Sequence, residues 1–118
     1  MHTIQRHQLG PRMSQAVIFN GIAFLSGQVP KTTLNDSITA QAGEVLAQVE
    51  ALLAEVGSSK RHLLSCSIVL RDMADFDAWN AVWDHWVDTA HTPARTTVQA
   101  AMARPLCKVE VTVTAALA

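Results

Sequence analysis

The fold is decided by residues 15–26, which read QAVIFNGIAFLS. Two apolar runs in this stretch flank the dipeptide Asn20-Gly21. Asn-Gly favours a type I′ turn, because both central residues of that turn need positive φ. Gly27 and Pro30 then interrupt the second run. The stretch therefore predicts a tight β-hairpin that is followed by a loop.

A helix, a strand and a second helix are predicted after the hairpin. Apolar residues recur at steps of three or four across residues 38–56, which is typical of an amphipathic helix, and Asp36 or Ser37 can cap its start. Residues 63–71 form a β-prone run. The apolar side of the second helix extends across residues 76–90 and contains all three tryptophans.

Two further strands close the chain. Along the last of them, four apolar residues alternate with four polar ones: Val109, Val111, Val113 and Ala115 with Lys108, Glu110, Thr112 and Thr114. This pattern puts the apolar set against the helices and Glu110 on the other face. The sequence predicts an α+β fold of order ββαβαββ, with four to six mostly antiparallel strands and two helices packed on one face. The count leaves room for a short edge strand within the first ten residues.

The composition indicates a small protein that forms an oligomer. The length of 118 residues suits one domain, and we expect a single domain over residues 1–118. Apolar residues make up 49% of the chain and charged residues only 16%, a low charge density for the large surface of so small a molecule. We therefore expect other subunits of a homo-oligomer to cover part of the apolar surface.

Several other classes of protein are disfavoured. A net charge of −1 argues against a nucleic-acid-binding surface, which needs clustered basic residues. No apolar run reaches the ~18 residues of a membrane helix, and the N-terminus lacks the pattern of a secretory signal. Cys66 and Cys107 have no paired spacing. We expect both to be small buried hydrophobes in a reducing cytoplasm.

Arg95 and Glu110 are the candidate functional pair. Arg95 follows Pro93 at the start of a predicted strand, and Glu110 lies inside the last strand. A guanidinium can grip a small carboxylate with two parallel hydrogen bonds, and a carboxylate can orient or activate a water. The same two residues could form a structural salt bridge or be unrelated surface charges. The residue types alone leave these alternatives open.

Metal binding and base stacking are not predicted. The five histidines share no metal-ligand spacing, and the cluster Asp72, Asp75 and Asp77 lacks the glycine and terminal glutamate of a calcium loop. Acidic residues, including Asp84 and Asp88, flank the three tryptophans where a base-stacking surface would need cations. We therefore assign the tryptophans to the core.

Four short blocks extend across nearly the whole chain: Ser14-Gln15-Ala16-Val17, Ser26-Gly27-Gln28-Val29-Pro30, Asp75-Phe76-Asp77-Ala78-Trp79-Asn80, and Pro93-Ala94-Arg95 leading into Val109-Glu110-Val111. In their order and spacing these blocks resemble the RidA/YjgF family of small trimeric proteins. The resemblance implies a chorismate-mutase-like fold in which the sheets of three subunits meet as an inner barrel.

The resemblance also implies an enzyme that hydrolyses reactive enamines and imines, such as 2-aminoacrylate and its imine tautomer, to a 2-keto acid and ammonia. By analogy with the family, Arg95 would bind the substrate carboxylate, and Glu110 of a neighbouring subunit would position or activate the water. Backbone groups of Gly27, Thr96 and Thr97 would line the cleft between subunits. No cofactor is implied, because an imine is already electrophilic and positioning lowers most of the barrier.

The chain departs from the family pattern at four points. Met13, in the wall of the substrate site, replaces a tyrosine, and Thr97 stands where cysteine or serine is frequent. The loop after Pro30 is shorter, and Arg104 replaces the leucine of a Leu-Pro pair. These differences bear on the preferred substrate. They also leave open a non-catalytic module that binds a small carboxylate, such as a keto acid, in the same cleft.

Ribonuclease or chaperone activity, which is ascribed to some relatives, finds less support in the sequence. The nine lysines and arginines are scattered along the chain and form no basic patch.

Overall fold

The structure is a computed structural model that describes residues 3–118. Within this range the main elements follow one another in this order: β1 (Gln5–Leu9), β2 (Ser14–Phe19), β3 (Ile22–Leu25), α1 (Ile38–Glu55), β4 (Leu63–Leu70), α2 (Phe76–Trp86), β5 (Ala94–Gln99) and β6 (Val109–Ala116). The predicted order ββαβαββ is present and is preceded by β1, the edge strand that the prediction allowed for. The α+β fold is therefore confirmed.

The β2–β3 hairpin is closed by the turn that its sequence predicts. Asn20 has φ of 54° and Gly21 has φ of 78°, as a type I′ turn requires. Phe19 and Ile22 form the last pair before the turn. The two-residue loop thus sets the register of the hairpin.

The six described strands form one sheet in the order β1-β2-β3-β6-β4-β5. All neighbours are antiparallel except β4 and β5, which pair in parallel. A parallel pair needs a crossover connection, which α2 supplies here. The sheet therefore has β1 at one edge and β5, with Arg95, at the other.

Helix α1 begins as predicted, and its end at Glu55 lies within one residue of the predicted range. The Ser37 side chain accepts a hydrogen bond from Ala40 N at 3.3 Å, which identifies Ser37 rather than Asp36 as the cap. Gly57, two residues after the end of the helix, has φ of 84°, a conformation that favours glycine.

Helix α2 is shorter than predicted, since it ends at Trp86 and not near Ala90. Val87 is still buried, but its backbone is extended, with ψ of 146°. Asp88 starts a turn instead, because its side chain accepts a hydrogen bond from Ala90 N at 3.0 Å. Aspartate favours such local turns over helix. The apolar periodicity of the sequence does not reveal this preference.

The core lies between the sheet and the two helices. It contains Trp79 and Trp83 of α2, so the assignment of these tryptophans to the core is confirmed. Cys66 and Cys107 are both free and buried, as expected. The opposite face of the sheet has no covering element among residues 3–118, and large apolar side chains such as Phe24 (45% exposed) and Val98 (48%) remain exposed there.

Candidate active site

Arg95 lies on the helix-facing side of the edge strand β5. Its backbone pairs with that of Cys66, a core residue of β4. The guanidinium carbon is 5.4 Å from the ring centre of Trp83 on α2. A cation–π contact holds the guanidinium and leaves its N–H donors available. Within residues 3–118 Arg95 forms no ion pair, so the core, and not an anionic partner, positions it.

Burial keeps the thiol of Cys66, which lies beside Arg95 in the sheet, in its protonated form. Burial raises the pKa of the Cys66 thiol to about 12, although the nearby Arg95 charge acts in the opposite direction. A thiol with such a pKa stays protonated at neutral pH and is a poor nucleophile. Cys66 therefore serves as a packing residue in the core beside Arg95.

Three buried polar atoms on the elements around Arg95 lack a hydrogen-bond partner in the described part of the chain. They are Thr97 Oγ1, Asn80 Oδ1 and Trp79 Nε1. Thr97 shares the face of Arg95 because it lies two residues along the same strand. Asn80 precedes Trp83 by three positions, which is about one turn of α2. Unpartnered buried polar atoms are uncommon in native proteins and call for a specific explanation, which a ligand can supply.

The resemblance named Thr97 in advance, whereas Asn80 and Trp79 were missed as site candidates. A signal existed for Asn80, because it closes one of the family blocks and lies at helical spacing from Trp83. No signal in the sequence distinguishes Trp79 from an ordinary core residue.

Glu110 and Gly27 meet on the open face of the sheet. A Cβ atom at position 27 would collide with Glu110 Oε2 and would lie 3.2 Å from Thr112 Oγ1. The carboxylate can therefore rest against the backbone only because residue 27 has no side chain. This contact gives a physical reason for the glycine that the resemblance named.

An irregularity in the β3–β6 pairing brings Gly27 to Glu110. Phe24 lies opposite Thr114, and further along Gln28 forms an isolated bridge with Val111. Gln28 N donates to Val111 O at 2.7 Å, and Val111 N donates to Gln28 O at 3.0 Å. The segment after β3 thus has one residue more than the facing part of β6, as in a β-bulge.

A cavity of about 210 Å³ opens beside Glu110. It is lined by Gly27, Val29, Met102, Ala103, Arg104, Cys107 and Glu110. Of the six residues predicted for the site, Gly27 and Glu110 line this cavity, whereas Arg95, Met13, Thr96 and Thr97 do not. The structure therefore divides the predicted site into two parts.

The two parts lie on opposite faces of the sheet. Arg95 is paired with Cys66 on the helix side, while Glu110 is paired with Val69 and alternates with the buried Val109 and Val111. Side chains at successive positions of a strand point to opposite faces. Within one chain, Arg95 and Glu110 therefore do not form the structural salt bridge that the residue types allowed.

The other two predicted residues, Thr96 and Met13, do not line the Glu110 cavity. Thr96 pairs with Ser67 and, by alternation with Arg95, points to the open face that Glu110 also occupies. Met13 lies between β1 and β2 with 47% of its surface exposed, and its carbonyl accepts a hydrogen bond from Gly10 N at 2.9 Å. The methionine side chain is thus available for contact with a ligand or another subunit.

A larger cavity, of about 630 Å³, lies at the carboxyl ends of β4 and β5. It is lined by Arg71, Asp72, Asp75, Gln99 and Lys108. Most of these side chains are exposed, and none belongs to the predicted site. The smaller cavity beside Glu110 is the better candidate, because it combines a carboxylate with an apolar wall, as small-molecule sites do.

Other reactive groups lie away from the Glu110 cavity. The four described histidines each contact a nearby group, and none lines that cavity: His7 contacts Glu55, His62 contacts Ser59, His85 contacts Ala81 O, and His91 contacts Asp88. In the described range, no three His, Cys, Asp or Glu side chains are grouped to hold a metal ion.

No helix among residues 3–118 is long and apolar enough to span a membrane.

The sequence and the fold both match known proteins. The family model described as Endoribonuclease L-PSP matches residues 5–117. A RutC family protein from Haemophilus influenzae is 42% identical over 113 residues, which are 96% of this chain and 97% of the relative. The RutC family protein YoaB from Escherichia coli is 40% identical over 115 residues, 98% of this chain and 99% of the relative.

A solved structure gives the same result. A YjgF family member from Neisseria meningitidis aligns with a TM-score of 0.91 at 45% identity, and the alignment covers 98% of this chain and 96% of that chain. The chain therefore belongs to the RidA/YjgF family and is YoaB-like within it.

Proposed function

We propose that this protein is an imine deaminase that hydrolyses small 2-imino acids to 2-keto acids and ammonia. One observation carries the proposal: Arg95 is held on the helix side of the sheet, and Glu110 is held on the open face. A 2-imino acid needs both an anion-binding group and a group that places a water. One copy of the chain offers them on different faces, so a second copy would complete the site.

A homotrimer accounts for the uncovered face of the sheet. That face mixes apolar side chains with hydroxyls, and Ser65 Oγ lies 2.6 Å from Thr114 Oγ1 there. In a closed ring of three subunits, the open faces would meet as an inner barrel. Arg95, on the edge strand β5, would then reach the Glu110 cavity of a neighbouring subunit. Each trimer would contain three such sites.

The two charges would divide the chemistry between them. Arg95 would bind the substrate carboxylate with two parallel hydrogen bonds, and the Thr97 hydroxyl, which lacks a partner in one chain, would bind the same end of the substrate. Met13 and the backbone of Gly27 and Thr96 would line the cleft.

Glu110 would orient a water towards the imine carbon. The water oxygen adds to that carbon while its proton passes through the carboxylate to the imine nitrogen, which gives a carbinolamine. Glu110 then passes the hydroxyl proton to the nitrogen while the C–N bond breaks, so that ammonia leaves and the carbon becomes the carbonyl of the 2-keto acid. An imine needs no covalent nucleophile, which agrees with the protonated state of the Cys66 thiol. A nearby carboxylate also favours the protonated, more electrophilic iminium.

Imine hydrolysis tests the proposal directly. An amino-acid oxidase generates the imine in the cuvette, and semicarbazide competes for it, so a deaminase lowers semicarbazone formation. We expect the wild-type protein to do this and the Arg95→Ala and Glu110→Gln variants to fail. Arg61→Ala, which removes an exposed arginine from the turn before β4, is the charge-matched control and should keep full activity. An active Arg95→Ala protein would contradict the mechanism.

A non-catalytic module for small carboxylates is the second candidate. It is favoured by Met13, an exposed side chain without a hydroxyl at the position where the family has a tyrosine. Calorimetry with 2-oxobutanoate distinguishes the two functions when it is combined with the imine assay. Binding without any hydrolysis would identify a binding module, whereas measurable hydrolysis would exclude one.

Ribonuclease activity, which the description of the matching family model names, finds little support in this chain. The described histidines contact groups away from the Glu110 cavity, and the net charge is −1. Protein that has been passed through a high-salt column should therefore leave RNA intact.

A further inference from the structure

A second guanidinium, that of Arg104, lies in the wall of the Glu110 cavity. Arg104 belongs to the turn that precedes Cys107, and Cys107 N donates to Arg104 O at 3.1 Å. The Cys107 thiol in turn contacts Met102 Sδ at 3.3 Å and Val109 O at 3.3 Å. These contacts attach the turn to the start of β6, close to Glu110.

The cavity has an apolar middle and one charge of each sign. Val29, Met102, Ala103 and Cys107 provide the apolar wall. Glu110 and Arg104 line the same cavity without forming an ion pair with each other. In the described part of the chain, the Arg104 side chain makes no hydrogen bond or salt bridge. An exposed guanidinium with five free donors beside an apolar cavity is suited to bind an anion.

The volume of the cavity suits a small metabolite, or part of one, rather than a drug-sized ligand. About 210 Å³ is less than a typical pocket for a drug-sized ligand. Arg95 of the neighbouring subunit is already assigned to the carboxylate next to the imine carbon. A second cation in the Glu110 cavity is therefore available to the other end of the substrate.

We propose that Arg104 selects imino acids that carry a second carboxylate on their side chain, namely the imines of aspartate and glutamate. This inference rests on the proposed function and specifies its substrate class. The side-chain methylenes lie along Val29 and Met102, and the distal carboxylate binds the Arg104 guanidinium. Water adds at the imine carbon beside Glu110, ammonia leaves, and the product is a dicarboxylic 2-keto acid. A leucine at position 104, the residue of the family pattern, offers no such contact.

Competition assays with two classes of imine test the proposal. Amino-acid oxidases supply neutral imines from alanine or 2-aminobutyrate, and dicarboxylic imines from aspartate or glutamate. For the wild-type protein we expect kcat/KM to be at least about 10-fold higher for the dicarboxylic imines, the size of one charge-assisted hydrogen-bonded contact. Arg104→Leu should remove this preference, so that the ratio of kcat/KM between dicarboxylic and neutral imines falls at least about 10-fold. Arg61→Leu is the matched control and should keep the preference.

Binding of the products gives a second measurement that does not depend on turnover. Calorimetry should show 2-oxoglutarate binding more tightly than 2-oxobutanoate to the wild-type protein, and the difference should vanish in Arg104→Leu. If neutral imines are hydrolysed while Arg104→Leu leaves the ratio unchanged, the role of Arg104 is refuted and the deaminase stands. If no imine is hydrolysed, the deaminase is refuted, and the calorimetric ratio alone decides whether Arg104 recognises a carboxylate. Equal binding of both keto acids to the wild-type protein would overturn the proposal.

Discussion

The two halves of the candidate site are held in different ways. Arg95 rests on packed core residues, with Trp83 above its guanidinium and Cys66 beside it in the sheet. The Glu110 carboxylate lies against the backbone of Gly27. Gly27 belongs to the segment after β3, where one extra residue interrupts the regular pairing with β6. The first half therefore depends on side-chain packing and the second on backbone geometry. The difference teaches that the two charged residues of one candidate site can have separate structural supports, which different substitutions can disturb independently.

Mixing two inactive variants is the strongest test of this division. Arg95→Ala subunits keep Glu110, and Glu110→Gln subunits keep Arg95. If each site takes one charge from each of two neighbours, random mixing in a cyclic oligomer should rebuild about a quarter of the sites. Activity should rise from near zero to about that fraction after the two variants are unfolded together and refolded. A mixture that stays inactive, although the subunits demonstrably exchange, would place both charges of a site in the same chain.

Gly27→Ala should disable the Glu110 half without unfolding the protein. The new Cβ would meet Glu110 Oε2, the far end of a flexible side chain, so the carboxylate can move away at small cost. A displacement of about 1 Å can lower kcat/KM by ~10²-fold. Activity and the melting temperature are the measurements. The matched control is Gly43→Ala in α1, where a Cβ meets nothing within 4 Å. That change should leave activity intact and stabilise the protein by about 0.5–1 kcal/mol.

Thr97→Val should separate function from stability in the Arg95 half. Thr97 Oγ1 is buried without a partner among residues 3–118, so its removal should leave the melting temperature unchanged or raise it. If the hydroxyl binds the substrate, kcat/KM should fall by about 5- to 10-fold. Thr97→Ser retains the hydroxyl and should retain activity. Equal activity of the Val and Ser variants would remove Thr97 from the site.

The Glu44 carboxylate anchors the loop after Pro30, which lies next to the Glu110 half of the site. This carboxylate accepts hydrogen bonds from the backbone and side chains of Thr32 and Thr33, at distances between 2.6 and 3.2 Å. Burial alone would raise the pKa of Glu44, but the bonds from Thr33, Thr32 and Lys31 lower this pKa from 4.5 to about 2. The ionised carboxylate is therefore favoured in the folded state.

Glu44→Gln should lower the free energy of unfolding by about 1 kcal/mol at pH 7. Because the folded pKa lies below the unfolded one, the contribution of Glu44 is complete above about pH 4.5 and is lost as the pH falls towards 2. Denaturant unfolding at several pH values measures the difference between the wild type and the variant. A difference that is independent of pH would contradict an ionised anchor.

Most of the fold was predictable because its signals are local. The hairpin follows from two residues with positive φ, Asn20 and Gly21. The start of α1 follows from one capping side chain, Ser37, and the buried face of β6 follows from strict alternation. The prediction was wrong for the end of α2, where the Asp88 turn competes with an apolar periodicity that continues to Ala90 in the sequence. The short edge strand β1 is mostly exposed, so its sequence has little of the apolar alternation that predicts a strand.

The candidate site was predictable in its residues but not in its arrangement. Arg95, Glu110 and Gly27 could be named from the residue types and the resemblance. Their separation on two faces depends on which residue of β5 pairs with Cys66 and on the extra residue after β3. Both depend on the register in which segments that are distant in sequence pair with each other. No local sequence pattern predicts that register.

The sequence by itself thus determined the elements, the apolar and polar faces, and the charged residues of the candidate site. These follow from side-chain types and from periods of two and of three to four residues, which are written along the chain. Only the tertiary structure decided that Glu110 lies on Gly27, that Trp83 lies over Arg95, and that Arg104 shares the Glu110 cavity. Such contacts arise when strands pair and helices pack, because each of them joins residues that only the closed fold brings within reach.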